Sequence, residues 1–461
     1  MLLDQIFTPF LAESPLSVMA RATVEHALTA ASLDQLFQQH AQTQYTRDLL
    51  FSSVVDLLSL VVTNVQRSVS AAYQTGLVNV SVSLTSVYNK LQGIEDHVSA
   101  ELVRHTAQRL EPVIRHLGGL LPEPVPGYRM RILDGNHLAA TEHRLRETRD
   151  NAAAPLPGQT LAVLEPALML ITDIVPCQDG HAQERSLLDS ILAKVRARDL
   201  WVADRNFCVR HFLLGIAARG GFFIIREHQG LSWEPAGKVR GLGRVEGGRL
   251  REQRVAIRDD QGQPVYLRRV VVELDQPTRD GDTAIALLTN LPAAVDARTV
   301  AKAYRKRWRI EGAFQELTVT LHCEVNTLCY PRAALFAFCV AVAAYNVLGA
   351  LKAALRAAHG AEKIEKDLSG YYVALEIASV HRGMMIAIPA EHWYVFATMT
   401  AEQFAEVLRG LATTVQLKRY QKHPRGPKKP PVKRHYSKKH PHVSTAQLLE
   451  ARRVKKQAAE K

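Results

Sequence analysis

The sequence predicts a mixed α/β protein: a mixed sheet flanked by helices, with a helical N-terminal region before it and a β-rich insertion within it. Three observations carry this. Apolar residues recur at helical spacing from about residue 15 to 118. Short apolar runs then alternate with helical segments as far as His228. A glycine-punctuated, strand-rich stretch follows between Gln229 and Asn290. The chain has 461 residues, more than the roughly 250–300 at which one core usually stops growing. The expected division is therefore 1–118 (helical, a candidate DNA-binding region), 119–228 (first part of the core), 229–290 (insertion), 291–416 (second part of the core and C-terminal helices) and 417–461 (basic, disordered tail).

Each element has a local reason. SPLSVMARATVEHAL opens with a serine and a first-turn proline, and TRDLLFSSVVDLLSLVVTNV and SAELVRHTAQRLEPVIRHL continue the helical spacing. GGLLPEPVPGY, residues 118–128, is the boundary. RMRILDGNHL holds a strand ending at Asp134, TLAVLEPALMLITDIVP reads as two strands around a proline turn, and LWVADRNF is a strand ending at Asp204. In the insertion, REQRVAIRDDQGQPVYLRRVVVEL reads as a hairpin turning at Gln-Gly. After LTNLP, Asp296 can cap a helix running through TVAKAYRKRWRIEGAFQEL.

Charge is concentrated at one end. The net charge is +13, and from Leu417 to Lys461 there are 15 Lys and Arg against Glu450 and Glu460, so the rest of the chain is formally neutral. The segment HPRGPKKPPVKRHYSKKHPH is too poor in apolar residues to fold alone. Its character is that of a DNA-contacting arm more than of a metal site, although it holds His423, His435, His440 and His442. Five cysteines without a CxxC pair argue against a disulfide framework or zinc knuckle and fit a reducing cytoplasm. MLLDQIFTPF lacks the lysines of a secretory signal. Ala333 to Leu351 is long and apolar enough for a membrane span, yet Tyr345, Asn346 and Gly349 interrupt it, so a buried central helix and no membrane is the expectation.

Two acids, Asp134 and Asp204, end predicted strands, where α/β sheets hold ligands. An aspartate after a strand is more commonly a turn or cap residue. In AYRKRWRIEGAFQEL, Tyr304, Arg307 and Glu311 fall within roughly 60° of one another on a helix. An exposed face laced with ion pairs is the ordinary account of such a pattern. His137, beside Asp134, fits a structural role, and Glu316 lies on a different helical face from Glu311. The glycine-rich GLGRVEGG lacks the Lys-Ser/Thr of a nucleotide loop.

Taken in order, these residues resemble the insertion-sequence-four family of bacterial DDE transposases, whose signature is Tyr-x2-Arg-x3-Glu-x6-Lys. The resemblance spans about Met130 to Leu351 and departs at one place, Thr318, where the signature has Lys. It implies an RNase H-like core that brings Asp134, Asp204 and Glu311 around two Mg²⁺ ions, with Mn²⁺ as a substitute. Three crowded carboxylates suit such cations, which neutralise them and keep open positions for phosphate oxygens. It further implies that Tyr304 and Arg307 hold a DNA phosphate, and that Trp233, the one tryptophan of the insertion, is a platform for base stacking. Transposon ends and target DNA are the implied partners, bound by at least a homodimer in a bacterial, nucleoid-associated cytoplasmic setting. Two other readings use the same residues: a metal-dependent nuclease that never joins strands, and an inactive DNA-binding descendant.

Overall fold

The structure is a computed structural model that describes residues 4–44, 48–278, 281–423, 426 and 442–459. His435, His440 and the rest of residues 424–425, 427–441 and 460–461 of the basic tail lie outside the described residues.

Five helices dominate the N-terminal part: α1 (Pro15–Ala27), α2 (Ala30–His40), α3 (Phe51–Val62), α4 (Leu84–Gly93) and α5 (Asp96–Leu117). Thr29 and Ser83 cap α2 and α4 by accepting from Ser32 N and Ser86 N. Gly118, with φ of +70°, ends α5 in the left-handed conformation that glycine adopts without strain.

The sheet begins with β1 (Arg129–His137), β2 (Gln159–Glu165), β3 (Leu170–Cys177), β4 (Asp199–Ala203) and β5 (Phe222–Arg226). Their spatial order is β3-β2-β1-β4-β5. The pairs β3/β2 and β2/β1 are antiparallel, whereas β1/β4 and β4/β5 are parallel. The parallel pairs need crossover connections. Short helical turns from Glu184 to Leu192 supply the first, and α6 (Arg210–Ala218) supplies the second. This is the RNase H-like mixed sheet. Alternation gives it two apolar faces. Ile132, Ala162, Leu164, Leu200, Val202 and Ile224 pack on the side of the N-terminal helices. Leu133, Leu161, Val163, Trp201, Ala203, Phe223 and Ile225 pack on α6 and the turns before β4.

The insertion does not stand apart as a separate lobe. It contributes β6 (Arg240–Val245), β7 (Gly248–Arg258), β8 (Pro264–Leu274) and β9 (Ala284–Thr289), and β9 pairs antiparallel with β5. The sheet therefore continues without a break into the insertion and reaches ten strands, counting the short Glu234–Pro235 on β7. Gly262, with φ of +77°, serves the β7/β8 turn, and the glycine-rich GLGRVEGG is strand and turn rather than a nucleotide loop.

The continuous helix expected after Asp296 is two helices. Asp296 accepts from Thr299 N at 2.7 Å and caps α7 (Ala297–Arg305); α8 (Trp308–Val319) starts afresh after a turn at Lys306 and Arg307. Next comes α9 (Pro331–His359), then α10 (Gly370–Ala387) and α11 (Ala401–Thr414). By length and composition α9 could cross a membrane, yet it lies buried inside the protein against α5, α3, α11 and β3. Its one buried amide has a clear task. Asn346 Nδ2 donates to Ile171 O and its Oδ1 accepts from Ile171 N, both at 2.9 Å, which satisfies the outer side of edge strand β3.

The segment expected not to fold alone, residues 423–442, lies almost wholly outside the described residues, but the chain beyond it is ordered rather than disordered. Val443–Ser444 adds a parallel strand to Pro155–Leu156, and α12 (Thr445–Ala459) follows it. Ser444 and Thr445 are buried against the body, while the helix beyond Glu450 is exposed.

Candidate active site

Asp134 sits on β1 three residues before its end, and Asp204 follows the last residue of β4. Because β1 and β4 are parallel neighbours, with Leu133 paired to Ala203, the two aspartates emerge side by side in the crevice at the carboxyl ends of the strands. Glu311 comes from the first turn of α8.

The turn between α7 and α8 brings these acids into one network. Tyr304, buried at the end of α7, donates its hydroxyl to Asp204 Oδ1 at 3.4 Å. Arg307, in the turn itself, donates to Asp134 Oδ2 at 3.1 Å and to Glu311 Oε1 at 2.7 Å. Its guanidinium carbon lies 6.0 Å and 5.4 Å from the ring centres of Tyr304 and Trp308. Asp134, Asp204, Tyr304, Arg307 and Glu311 are thus brought together although α7 and α8 do not form one helix. Burial pushes the Asp134 carboxyl up to about 6; Arg307 opposes the rise, while Asp204 and Glu184 add to it. Burial and the neighbouring Asp204 also push the Tyr304 hydroxyl up, so it is a donor at neutral pH.

Among the described residues, no three His, Cys, Asp or Glu side chains are gathered closely enough to hold an ion. A monovalent cation, Arg307, lies between Asp134 and Glu311 instead. The chemistry of the donors nonetheless fits a hard divalent ion: all are carboxylate oxygens, and Asp134 is buried beyond what Arg307 compensates. The Arg307 Nε is also buried without a partner, so the guanidinium is not held at all its donors.

Nothing in the sequence singles out Glu184, since a glutamate opening a short helical turn is ordinary. In the fold its carboxylate lies against Gly135, where an added Cβ would come within 1.8 Å of Oε1. It also accepts from the amide of Asn206, two residues beyond Asp204. Arg185 Nε donates to Asn206 O at 2.7 Å. Glu184 thereby ties together the two strand ends that carry the aspartates. Arg226 is likewise unmarked in the sequence; it donates to Asp282 Oδ2 at 2.6 Å, and its charge reaches Tyr304 and Asp204.

The remaining sequence candidates have local duties. Glu316 is held outside the network by Lys352, with N–O separations of 2.5 and 2.6 Å. Thr318 is exposed and donates back to Phe314 O at 2.9 Å. His137 closes β1 and is exposed. Trp233 donates Nε1 to Glu227 Oε1 at 2.6 Å, and Arg269 lies 4.9 Å from its ring centre. It lines a cleft of about 450 Å³ shared with Arg185, Arg210, His228 and Arg258. All five cysteines are free thiols.

A comparison with curated proteins finds no match. The family model described as the transposase DDE domain matches residues 126–347. That span opens just before β1 and closes within α9, so it encloses the sheet, the insertion and Asp134, Asp204 and Glu311. The chain carries a transposase DDE domain over residues 126–347, and this match supports a DDE transposase.

Proposed function

We propose that the chain binds the inverted-repeat ends of a transposon, cuts them and joins them to target DNA, with Asp134, Asp204 and Glu311 as ligands of two Mg²⁺ ions, or of Mn²⁺ in their place. The observation that carries this is the linkage of those three carboxylates through Tyr304 and Arg307 at the carboxyl ends of β1 and β4, inside the matched domain. What such ions supply when bound is a polarised scissile phosphate and a more acidic attacking water or 3′-hydroxyl. Arg307, displaced from Asp134 and Glu311, has the planar fork that grips a phosphate at two oxygens. Tyr304 keeps its proton and donates it as a hydrogen bond to an oxygen in the crevice. Trp233 presents an aromatic wall beside arginines, suited to stacking an unpaired base. Pairing two ends requires at least a homodimer in the DNA complex, and the setting proposed is the nucleoid-associated cytoplasm of a bacterium.

The test is cleavage and joining of paired inverted-repeat ends with Mg²⁺, comparing the wild type with Glu311→Gln. Metal-dependent cleavage and joining that vanish in the variant while DNA binding persists support the proposal. Cleavage without joining identifies a nuclease, and binding with no metal-dependent chemistry in the wild type identifies an inactive descendant.

A further inference from the structure

The register of the sheet places the C-terminal helix. His137 pairs with Gln159, and Gln159 with Cys177, so the segments 138–157 and 178–187 leave the sheet at the same end as Asp134. The C-terminal segment attaches to both of them. Val443 and Ser444 pair with Pro155 and Leu156, and His442 Nδ1 lies 3.2 Å from Ala154 O. Gln447 Nε2 donates to Asp179 Oδ2 at 2.8 Å, and Arg452 forms an ion pair with Glu147. Thr445 is fully buried. Helix α12 is therefore docked at the acidic end of the sheet.

Its charge is one-sided. Arg452, Arg453, Lys455 and Lys456 stand against Glu450 within the described helix and fall in an arc of roughly 160° at 100° per residue. All four are exposed, as are Arg146 and Arg149 in the turn on which the helix packs. An exposed basic helix face is most often only solvated. Here the strand pairing, the buried Thr445, the Gln447–Asp179 hydrogen bond and the Arg452–Glu147 ion pair do the anchoring, Arg453 pairs with Glu450 within the helix at 3.0 Å, and the anchors fix the basic face at the end of the sheet where DNA would be cut.

We propose that α12, with Arg146 and Arg149 beside it, is a docked surface for the phosphate backbone of duplex DNA that holds the duplex next to the acidic crevice. This rests on the DNA-cutting reading above but concerns binding alone. Cations that meet phosphates release counterions, each contributing about 0.9 to the slope of log affinity against log salt.

The probe is a mixed-sequence 30-base-pair duplex, its affinity measured across a salt series without metal. Three full-length proteins are compared: wild type, Arg453→Gln/Lys455→Gln/Lys456→Gln, and Val443→Pro/Gln447→Ala, which loosens the docking and keeps every cation. The triple variant is expected to bind more weakly with a slope shallower by about 2–3, and the undocked variant to move most of the way towards it. A triple variant with the wild-type slope overturns the proposal. So does an undocked variant that keeps the wild-type slope, because the helix then acts as a free charged arm. Metal-dependent cleavage by the wild type is scored separately, so a protein that cuts DNA but ignores these substitutions refutes the surface and leaves the transposase reading intact.

Discussion

Asp134 is held in an environment that favours its protonated form. Its carboxyl is pushed from 3.8 to about 6 by burial, and Arg307 offsets only part of that cost. In metal-free protein the folded state therefore binds this proton more tightly than the unfolded chain does. The sign follows: stability falls as pH rises from about 4 to 6, the full cost is present above 6, and none remains below 4. Each unit corresponds to about 1.4 kcal/mol, and partial contact with water reduces the effect. Asp134→Asn is expected to stabilise the metal-free protein by roughly 1–3 kcal/mol at pH 8. That gain shrinks towards zero near pH 4, as read from denaturant midpoints in EDTA. A loss of stability at pH 8 would show that Arg307 already compensates the charge in full. Tyr304, Arg307 and Glu311 announce themselves by their spacing in sequence, although the single helix that this spacing predicts is broken at Lys306 and Arg307. Glu184 and Asn206 do not, because the contact joining them exists only once β1 and β4 lie side by side.

At the level of elements, the break between α7 and α8 sets what the site can reach. Hydrophobic periodicity continues across Lys306 and Arg307, so a single helix is the natural reading of the sequence. The turn instead lets Tyr304 address Asp204 while Arg307 addresses Asp134 and Glu311. The strands were more legible, since each pairs locally with a neighbour or ends at a glycine or proline signal. Strand β9 was legible as a strand, but its antiparallel pairing with β5 was not, because pairing between distant segments leaves no periodic trace in either. The α12 helix was hidden by composition: its few apolar residues gave no face to bury, and its anchors are a two-residue strand and isolated polar contacts. Further along α8, the Thr318 side chain is exposed, donates to Phe314 O in its own helix and lies 3.9 Å from Cys323 Sγ just beyond it. Thr318→Lys is expected to leave stability within about 0.5 kcal/mol. It is also expected to tighten DNA binding and steepen its salt slope by about 1, measured on the same duplex. An unchanged slope would mean that position 318 does not face the phosphate backbone.

Across the whole molecule, the N-terminal helices, α9 and one face of the sheet share a single apolar core that runs from Phe7 to Tyr420. Asn346 is the polar point at which that core meets the sheet edge. Asn346→Leu keeps the branched shape but leaves the Ile171 N–H and C=O unpaired in the interior. The expected loss is about 2–4 kcal/mol, checked by chemical denaturation. A change below about 0.5 kcal/mol would show that Ile171 finds other partners. The buried character of α9 could be anticipated from its polar interruptions, but the partner of Asn346 could not.

This shared core has a consequence for modularity. The stretch that matches the DDE domain, residues 126–347, is not a portable unit. Cut out, it would bare the faces of Ile132, Leu164, Leu200 and Val202, truncate α9, and strip α5 from β3. A flat apolar sheet face beside an unprotected edge strand is a template for aggregation. The heritable unit is therefore the domain together with its helical flanks: a gene fusion that carried the acidic residues alone would inherit the chemistry without a soluble protein to perform it.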